Sequence, residues 1–400
     1  MNLQGKTIVL GVTGGIAVYK AVELLRLLTK AGATVHVIMT RAATEFVTPL
    51  TFQTLSGNPV HTELFNLIQE QEIGHISLAD RADALVIAPA TANCIGKLAN
   101  GIADDLLTTT AMATKAPLLV APAMNVNMYE HPAYQENEQK LRRLGCRLVD
   151  PEPGFLACGW QGKGRLAPPE QIFAELCRLL TPQDLAGQTV LVTAGPTREE
   201  LDPIRFISNH SSGRMGYALA QAARQRGARV ILISGPVALP APVGVELVAV
   251  ESACQMRQAV MERVTDSTVV IKAAAVADYR PVLRNDQKIK KQGERLTIEL
   301  ERNPDILAEL GRLEKRPLLV GFAAETTELQ AHAATKLAAK NLDMIVANDV
   351  TQEGAGFNVS TNVCQLLFRD GRVEPLALMD KQELAHLILD RVLTLLQHRG

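Results

Sequence analysis

Cys158 is the residue best suited to chemistry in the first half of this 400-residue chain, and it lies in the run ACGWQGKGR at residues 157–165. The cationic Lys163 and Arg165 would favour its thiolate, the reactive form of the side chain. A free cysteine is more often an inert core residue, but a segment this rich in glycine is a poor site for core packing. We therefore predict a flexible loop with a reactive thiol here, and neither a helix nor a strand.

A second chemical signature lies at residues 189–216, where the chain starts a new strand-loop-helix unit. An apolar strand at 189–193 leads into a long polar loop with Arg205, Asn209 and the run Ser-Ser-Gly at 211–213, and a helix follows. This order places free backbone N–H groups at a helix start, where phosphates and carboxylates bind. An ordinary strand-to-helix connection is the alternative, but loops this long are uncommon unless they are functional or disordered.

The first half also begins with a nucleotide-site pattern. A buried-strand pattern at 6–11 precedes a glycine loop at 11–17 and a helix pattern at 18–29. The loop does not spell G-x-G-x-x-G, and the next strand, at 34–39, ends in Thr40. Binding of NAD would require an acidic residue there, so a phosphate or a flavin is favoured over NAD.

Two further strands of this half deliver polar residues to the same edge of the predicted sheet. The strand at 84–88 leads into 89–93, and the strand at 117–121 leads into a segment that contains Asn125. Ligands of doubly wound sheets bind beyond the carboxyl ends of the strands, so these segments should share one crevice. By itself, Asn125 would be interpreted as a turn residue, but the residues around it favour a functional role. By itself, His75 would be interpreted as a hydrogen-bonded, half-buried imidazole.

The second half alternates strands with helices, which predicts another doubly wound parallel sheet. The predicted strands lie at 190–193, 229–234, 245–250, 268–274, 318–322 and 344–347, and the predicted helices at 215–226, 253–264, 304–313, 328–340 and 381–397. The strand at 229–234 is followed by no acidic residue, which again disfavours NAD.

Several features of the second half should cluster at the strand ends. Small residues at 273–277 would let a planar ligand approach the backbone, and Asp278 could hold a metal-bound triphosphate. Asn303 followed by Pro304 predicts a helix N-cap whose N–H groups could bind an anion. The run Lys-Ile-Lys-Lys at 288–291 suggests a basic arm.

Phe322, Lys336 and Lys340 complete this predicted rim, with the two lysines one helical turn apart. Each feature has a simpler reading by itself, since a lysine run is usually a solvated hairpin and a lysine pair a solvated helix face.

Length and composition limit the alternatives. A chain of 400 residues predicts two domains, which we place at 1–180 and 189–400 with a linker at 181–188. The net charge of −1 argues against nucleic acid or an anionic membrane as partner. The six cysteines lack zinc spacing, and no apolar run reaches the ~18 residues of a membrane span, so a cytoplasmic protein is expected.

Together, these segments of the first half resemble the flavin-dependent cysteine decarboxylases, which include the phosphopantothenoylcysteine decarboxylases. The matching segments lie at 11–17, 74–76, 90–93, 98–105, 122–125 and 157–159. The resemblance covers most of residues 5–175 and implies a flavodoxin-like fold that binds FMN. The implied FMN-binding residues are Gly14, Gly15, Ile16, Thr40, Thr91, Ala92, Asn93 and Ala123.

The same resemblance implies the catalytic roles. His75 would be the base, Asn125 with Met124 would bind the substrate and its carboxylate, and Cys158 would be the proton donor. Loss of CO₂ from a cysteine carboxylate needs an electron sink, which a flavin can supply. One residue departs from the family pattern, since Tyr129 stands where a Trp is typical.

The second half, over residues 187–395, resembles the phosphopantothenate–cysteine ligases, on the motifs Ser-Asn-x-Ser-Ser-Gly at 208–213 and Lys-x-Lys-Lys at 288–291. The resemblance implies a Rossmann-like domain in which Arg205 and Asn209 bind phosphopantothenate and the acyl nucleotide. Lys288 would stabilise charge during acyl transfer. The implied CTP-binding residues are Ala274, Asp278, Lys288, Asn303, Pro304, Asp305, Ile306, Phe322, Lys336 and Lys340.

The two resemblances fit one reading, a bifunctional enzyme of coenzyme A biosynthesis. The second half would join cysteine to phosphopantothenate with CTP and Mg²⁺, for which Asp278 is a candidate ligand, and the first half would decarboxylate the product. Homo-oligomers are expected, with trimeric flavin domains and dimeric ligase domains. A tandem dinucleotide oxidoreductase would lack its ribose-binding acids, and a non-catalytic flavin module would not explain Cys158 or His75.

Overall fold

The chain forms two compact units, Met1–Pro182 and Gln183–Gly400, in a computed structural model. The structure describes residues 3–65, 74–155, 159–290, 294–325, 329–349, 356 and 359–399. Within these residues no helix has the length and apolar character needed to cross a bilayer.

The first unit contains a parallel sheet with helices on both faces. Its elements are β1 (Thr7–Val12), α1 (Val18–Lys30), β2 (Thr34–Met39), α2 (Arg41–Thr44), α3 (Pro49–Ser56), β3 (Val60–His61), α4 (Gly74–Arg81), β4 (Ala84–Ala90), α5 (Ala92–Asn100), α6 (Leu106–Ala113), β5 (Leu118–Pro122), α7 (Val126–Glu130), α8 (Pro132–Arg143), β6 (Arg147–Leu148), β7 (Glu152–Phe155), β8 (Gln161–Arg165) and α9 (Pro169–Leu179). The strand order is β3-β2-β1-β4-β5-β6, so the direction of winding reverses between β1 and β4. Ligands of such sheets bind at this switch point.

Burial explains why β1 and β4 form the centre of this sheet. β4 is buried along its whole length, and β1 is buried at every residue except the first. Such continuous apolar strands are stable only when helices cover both faces. The two resulting cores lie on opposite faces, one under α1 and α9 and the other under α5 and α8.

The glycine-rich segment is a strand, which corrects the prediction of a loop for 161–165. β8 pairs antiparallel with β7. Its glycines allow the hairpin to lie directly on the chain that follows β5, because a Cβ at Gly164 would overlap the carbonyl oxygen of Met124 and one at Gly162 would lie 2.5 Å from Val126. The Met124 N–H donates to the Gly164 carbonyl at 2.9 Å. Glycine here serves close backbone contact, which composition alone does not distinguish from flexibility.

The second unit contains a larger, mixed sheet. Its elements are β9 (Thr189–Ala194), β10 (Arg198–Glu200), β11 (Phe206–Ser208), α10 (Arg214–Gln225), β12 (Arg229–Ser234), β13 (Glu246–Ala249), α11 (Ala253–Met261), β14 (Val269–Lys272), β15 (Tyr279–Pro281), β16 (Leu300–Arg302), α12 (Ile306–Gly311), β17 (Leu318–Glu325), α13 (Leu329–Ala339), β18 (Met344–Asp349), β19 (Thr361–Phe368), β20 (Val373–Asp380) and α14 (Lys381–Gln397). The order is β13-β12-β9-β14-β17-β18-β19-β20, and the strands are parallel as far as β18. The predicted class, two doubly wound and mostly parallel α/β sheets, is confirmed.

Three local features of the second unit differ from the prediction. The long loop after β9 contains the hairpin of β10 and β11, and the sheet continues into the antiparallel pair β19 and β20, which the strand-helix alternation did not indicate. The N-cap of α12 is Asp305, whose Oδ1 accepts from the Ala308 N–H at 3.1 Å. Asn303, the predicted cap, instead donates its side-chain amide to the Ala277 carbonyl at 2.9 Å and so fixes the preceding loop.

Candidate active sites

A cavity of about 340 Å³ opens at the carboxyl edge of the first sheet. Five of the predicted ligand-binding residues line it: Gly15, Ile16, Ala123, Met124 and Asn125. They come from the turn after β1 and from the segment after β5, on the two sides of the switch point. The side chain of Ile16 is 61% exposed, so the cavity has an aliphatic, open rim.

The remaining predicted flavin residues lie on neighbouring loops of the same edge. The Thr13 hydroxyl accepts from the Thr91 N–H at 2.9 Å and donates to the Pro89 carbonyl at 2.7 Å, which joins the loop after β1 to the loop after β4. The Thr40 N–H donates to the Val12 carbonyl at 3.0 Å. Gly14 lies against the first turn of α2, where a Cβ would overlap Ala42.

Thr40 and Thr91 therefore follow β2 and β4, the two strands that flank β1. Thr91 caps α5, and Ala92 and Asn93 form the first turn of that helix, with Asn93 exposed. Small residues and an aliphatic side chain line the open cavity, and the hydroxyls of Thr40 and Thr91 lie on loops of the same sheet edge, which suits a phosphate attached to a planar ring.

Asn125 borders this cavity as the N-cap of α7. Its side-chain oxygen accepts from the Asn127 N–H at 2.8 Å. Met124, the residue before it, is fixed to β8 by the backbone hydrogen bond described above. Asn125 is therefore positioned by a helix start and by a hairpin at once.

Lys20 is a residue of this cavity that the sequence patterns missed. Its Nζ donates to the Leu166 carbonyl at 2.8 Å, and the residue is only 8% exposed. Burial lowers the pKa of Lys20, and the nearby Arg165 lowers it further. The position reads as one polar residue at the start of an amphipathic helix, so the sequence carried no signal of its burial.

The two other predicted catalytic residues of this half are not brought into the cavity by the described part of the chain. His75 is half-buried on α4, and its Nδ1 is a buried atom that no described group hydrogen-bonds. Cys158 lies outside the described residues. Tyr129 is buried and packs against Tyr134 with ring centroids 5.2 Å apart, while the Lys163 ammonium lies 5.4 Å from the Tyr129 ring centre.

Two adjoining cavities, of about 420 and 380 Å³, lie at the carboxyl edge of the second sheet and share Lys272, Val276, Asp278 and Lys340. The predicted nucleotide-site residues divide between them. Asn209, Ala274, Phe322 and Lys336 line the larger cavity only. Asn303, Pro304, Asp305 and Ile306 line the smaller cavity only.

Short contacts hold the loops of this edge together. The Asn209 side-chain amide donates to the Ala275 carbonyl at 3.0 Å, and the Thr197 hydroxyl accepts from the Ala277 N–H at 3.0 Å. The loop after β9 is thus attached to the small-residue loop after β14. These are the two strands between which the second sheet reverses its winding.

Lys340 forms an ion pair across the smaller cavity. Its Nζ lies 2.9 Å from an Asp305 carboxylate oxygen. Burial would raise the pKa of Asp305, but the Lys340 ammonium and the Ala308 N–H outweigh it, and the pKa of Asp305 lies below its usual value. Asp305 is therefore a carboxylate whose charge is already balanced in the free protein.

Arg205 and Lys288 line a different cavity, of about 920 Å³, whose lining includes neither Asn209 nor Asp278. The buried carboxylate of Asp202 connects them. It accepts from the Arg205 N–H at 2.9 Å and from the Ile289 N–H at 3.1 Å. Burial would raise the pKa of Asp202, but these and another backbone N–H stabilise the charge, and the pKa lies below its usual value.

Sequence reasoning also missed four polar residues of the larger cavity, Lys272, Asn348, Asn362 and Lys381. The Lys381 Nζ donates to the Gly356 and Val359 carbonyls at 2.9 and 2.6 Å. The buried Asn362 side-chain oxygen has no hydrogen-bond partner in the described part of the chain. Asn362 lies on β19, which was not predicted, whereas Lys381 begins α14, which was predicted as a helix.

Asp278, the predicted metal ligand, lines both cavities of the second unit. Among the described residues, no group of three or more His, Cys, Asp or Glu side chains could hold a metal ion. Mg²⁺ commonly binds through one or two carboxylates together with substrate phosphates, an arrangement that needs no such group.

Comparisons with known proteins cover both units. Residues 1–181 match the Flavoprotein family, and residues 185–396 match the family described as the DNA/pantothenate metabolism flavoprotein C-terminal domain. The chain is 52% identical to the coenzyme A biosynthesis bifunctional protein CoaBC of Bacillus subtilis, over 100% of this chain and 99% of that protein. It is 47% identical to the protein of that name from Escherichia coli, over 98% of both chains.

Solved structures resemble one unit each. The C-terminal domain of a coenzyme A biosynthesis bifunctional protein CoaBC is 45% identical with a TM-score of 0.47, covering 54% of this chain and 99% of that one. The FMN-dependent cysteine decarboxylase SpaF is 32% identical with a TM-score of 0.37, covering 40% of this chain and 91% of that one.

The hydrogen bonds of Asp202 to the Arg205 and Ile289 N–H groups yield a prediction. Asp202→Asn removes the charge that holds the backbone of Arg205 and Ile289, so we expect both amides to exchange with deuterium roughly tenfold faster at neutral pH. Because the pKa of Asp202 is lowered, the wild-type protein should keep this protection at neutral pH and lose it only as the pH falls through that pKa. Hydrogen exchange followed by mass spectrometry measures both effects. Asp286→Asn, at a 97% exposed side chain, is the control. Equal exchange in both variants would contradict the protection of these amides by Asp202.

Proposed function

The chain belongs to the family of bifunctional coenzyme A biosynthesis proteins. On that premise we propose which reaction each of its two units catalyses. The second unit ligates cysteine to 4'-phosphopantothenate with CTP, through an acyl-cytidylate. The first unit is an FMN-dependent decarboxylase that converts the product, 4'-phosphopantothenoylcysteine, to 4'-phosphopantetheine. The enzyme acts in the cytoplasm.

The observation that carries this proposal is the similarity over the full length of the bifunctional relatives, since it includes both units in one chain. The product of the ligase is the substrate of the decarboxylase, so the presence of both in one chain is chemically coherent. The strand-end cavities of the two units provide the space for the two reactions.

In the first unit, the cavity at the switch point suits FMN. The turn with Gly14, Gly15 and Ile16 would hold it, together with Thr40, Thr91, Ala92, Asn93 and Ala123. When bound, FMN supplies the electron sink that loss of CO₂ requires.

The protein residues of this unit would bind the substrate and move protons. Asn125 would hold the substrate carboxylate, because its position at the cavity is fixed by α7 and β8. His75 would act as the base, a role that rests on the sequence motif. Cys158 would be the proton donor, a role that also rests on the sequence motif.

In the second unit, the carboxylate of phosphopantothenate must first acquire a leaving group, because an amine does not displace an oxide ion. Reaction with CTP forms the acyl-cytidylate and releases pyrophosphate, whose charge Lys336, Lys340 and Mg²⁺ would balance. Asn209 lies at the loop junction where the acyl group would be held. Lys288 and Arg205 would act from the two segments whose backbone Asp202 fixes.

We further propose that the enzyme is a homo-oligomer, with trimeric flavin domains and dimeric ligase domains. Exposed apolar side chains in both units support this proposal: Ile16 at 61% and Tyr19 at 53% in the first, Leu283 at 80% and Ile204 at 61% in the second. Sedimentation velocity on the purified enzyme should give a mass several times that of one chain. A monomer at micromolar concentration would refute the assembly.

The function itself is tested by colour and by nucleotide use. We expect the purified protein to be yellow with bound FMN. Pyrophosphate release should require CTP, cysteine and phosphopantothenate together, and CO₂ release should require the ligation product. Pyrophosphate release with ATP as efficient as with CTP would contradict the nucleotide assignment, and a colourless protein without CO₂ release would contradict the flavin assignment.

Two substitutions should separate the activities. Asn209→Asp replaces the amide donor to the Ala275 carbonyl by an oxygen, so ligation should fall by roughly 10- to 100-fold while decarboxylation stays normal. His75→Asn should lower decarboxylation by roughly 100-fold or more and leave ligation unchanged. Each variant is the control for the other in paired kinetic assays, and loss of both activities in either variant would point to misfolding.

A further inference from the structure

Lys272 is the most unusual residue of the second unit that none of the assignments above includes. It ends β14, the central strand beside the switch point, and it lines both cavities of this unit. The side chain is half-buried, and within the described residues it makes neither a hydrogen bond nor an ion pair. Its in-register partners across the sheet are Thr193 and Gly321, neither of which is acidic.

A lysine in this position destabilises the free protein. Partial burial removes water from the ammonium group, and the attraction of Asp278 and Asp305 offsets only part of that loss. Burial together with the nearby Lys340 lowers the pKa of Lys272 to about 8. Such residues occur where a ligand supplies the missing charge.

The charges that surround Lys272 identify the sign of this ligand. Asp278 and Asp305 face it from the loop after β14 and from the start of α12, but Asp305 is paired with Lys340. The other charged residues that line the two cavities are cations: Arg214, Arg302, Lys336 and Lys381. The site therefore has an excess of positive charge and suits a polyanion.

We propose that Lys272 is a nucleotide-binding residue of the ligase site, and that its ammonium group contacts the polyphosphate of a nucleotide extending across the boundary between the two cavities. The proposal deepens the function proposed above and rests on it. Lys272 lies on the boundary itself, whereas Lys336 lines only the larger cavity and Asp305 only the smaller one. A bound polyphosphate would complete the charge balance that the protein alone leaves open.

This role makes nucleotide binding depend on pH in a defined direction. A polyphosphate stabilises the protonated form, so the pKa of Lys272 should be higher in the complex than its value of about 8 in the free protein. Binding should be strongest below that pH and weaken as the pH rises above it. Above it, each bound nucleotide should also take up a proton.

Calorimetric titration of the full-length enzyme with CTP and Mg²⁺, without the other substrates, tests the proposal. Lys272→Met should weaken CTP binding by roughly 10- to 100-fold near neutral pH. Lys272→Arg should retain most of the affinity, because it keeps the charge. Lys315→Met, at an exposed lysine of the same unit, is the control and should bind CTP like the wild type. Titration of phosphopantothenate alone should give the same affinity in all four proteins.

Proton uptake gives the readout that a purely structural role would not change. At about pH 9, in two buffers of different ionisation enthalpy, the wild type should take up close to one proton for each nucleotide bound. Both Lys272 variants should take up none, because methionine does not titrate and arginine stays charged.

Three results would overturn the proposal. The first is wild-type CTP affinity in Lys272→Met, even with slower ligation. The second is a loss of phosphopantothenate affinity alone, which would place the other substrate's anion at Lys272. The third is unchanged proton uptake in the variants. A wild-type enzyme that binds no CTP would instead refute the nucleotide assignment of the proposed function, so the two failures are distinguishable.

Discussion

Close backbone approach at the carboxyl edge of each sheet is the constraint on which the rest of this protein depends. A parallel sheet delivers all its strand ends to one edge, so the loops that follow must pass each other there. In the first unit a Cβ at Gly14 would overlap Ala42, and in the second a Cβ at Gly235 would overlap the Pro196 carbonyl oxygen. The loops can meet only because these positions lack side chains, and the hydrogen bonds of Thr13 and Asn209 then fasten them together.

The central parts of both sheets could be predicted because a strand that is buried on two faces appears in the sequence as a continuous apolar run. Continuous apolar strands such as β1, β4 and β12 have no other stable environment. The two hairpins that escaped prediction are stabilised by local contacts that leave no such pattern. The β7–β8 hairpin depends on glycines packed against Met124 and Val126, and short hairpins such as β10–β11 have too few residues to show a pattern.

The same distinction applies to the sites. Residues in motif-bearing loops, such as Asn125, Asn209 and Asp278, were predicted at the strand ends because loops there carry ligands in this fold class, and all three line cavities. Lys20 and Lys272 were not predicted, since a lysine at the start of a helix or at the end of a strand resembles any solvated residue until its burial is known. The wrong prediction of the N-cap of α12 has the same cause, because Asn303 and Asp305 are equally good N-caps by residue type. Only the hydrogen bond of Asn303 to the Ala277 carbonyl decides between them.

The single carboxylate that holds the backbone at both Arg205 and Ile289 has a mechanical consequence. These residues are 84 positions apart in the chain, yet Asp202 joins their segments through short hydrogen bonds at one buried point. The backbone at Arg205 and the backbone next to Lys288, the neighbour of Ile289, are thereby held by the same carboxylate. A backbone movement at Arg205 would therefore be transmitted through Asp202 to the segment that carries Lys288.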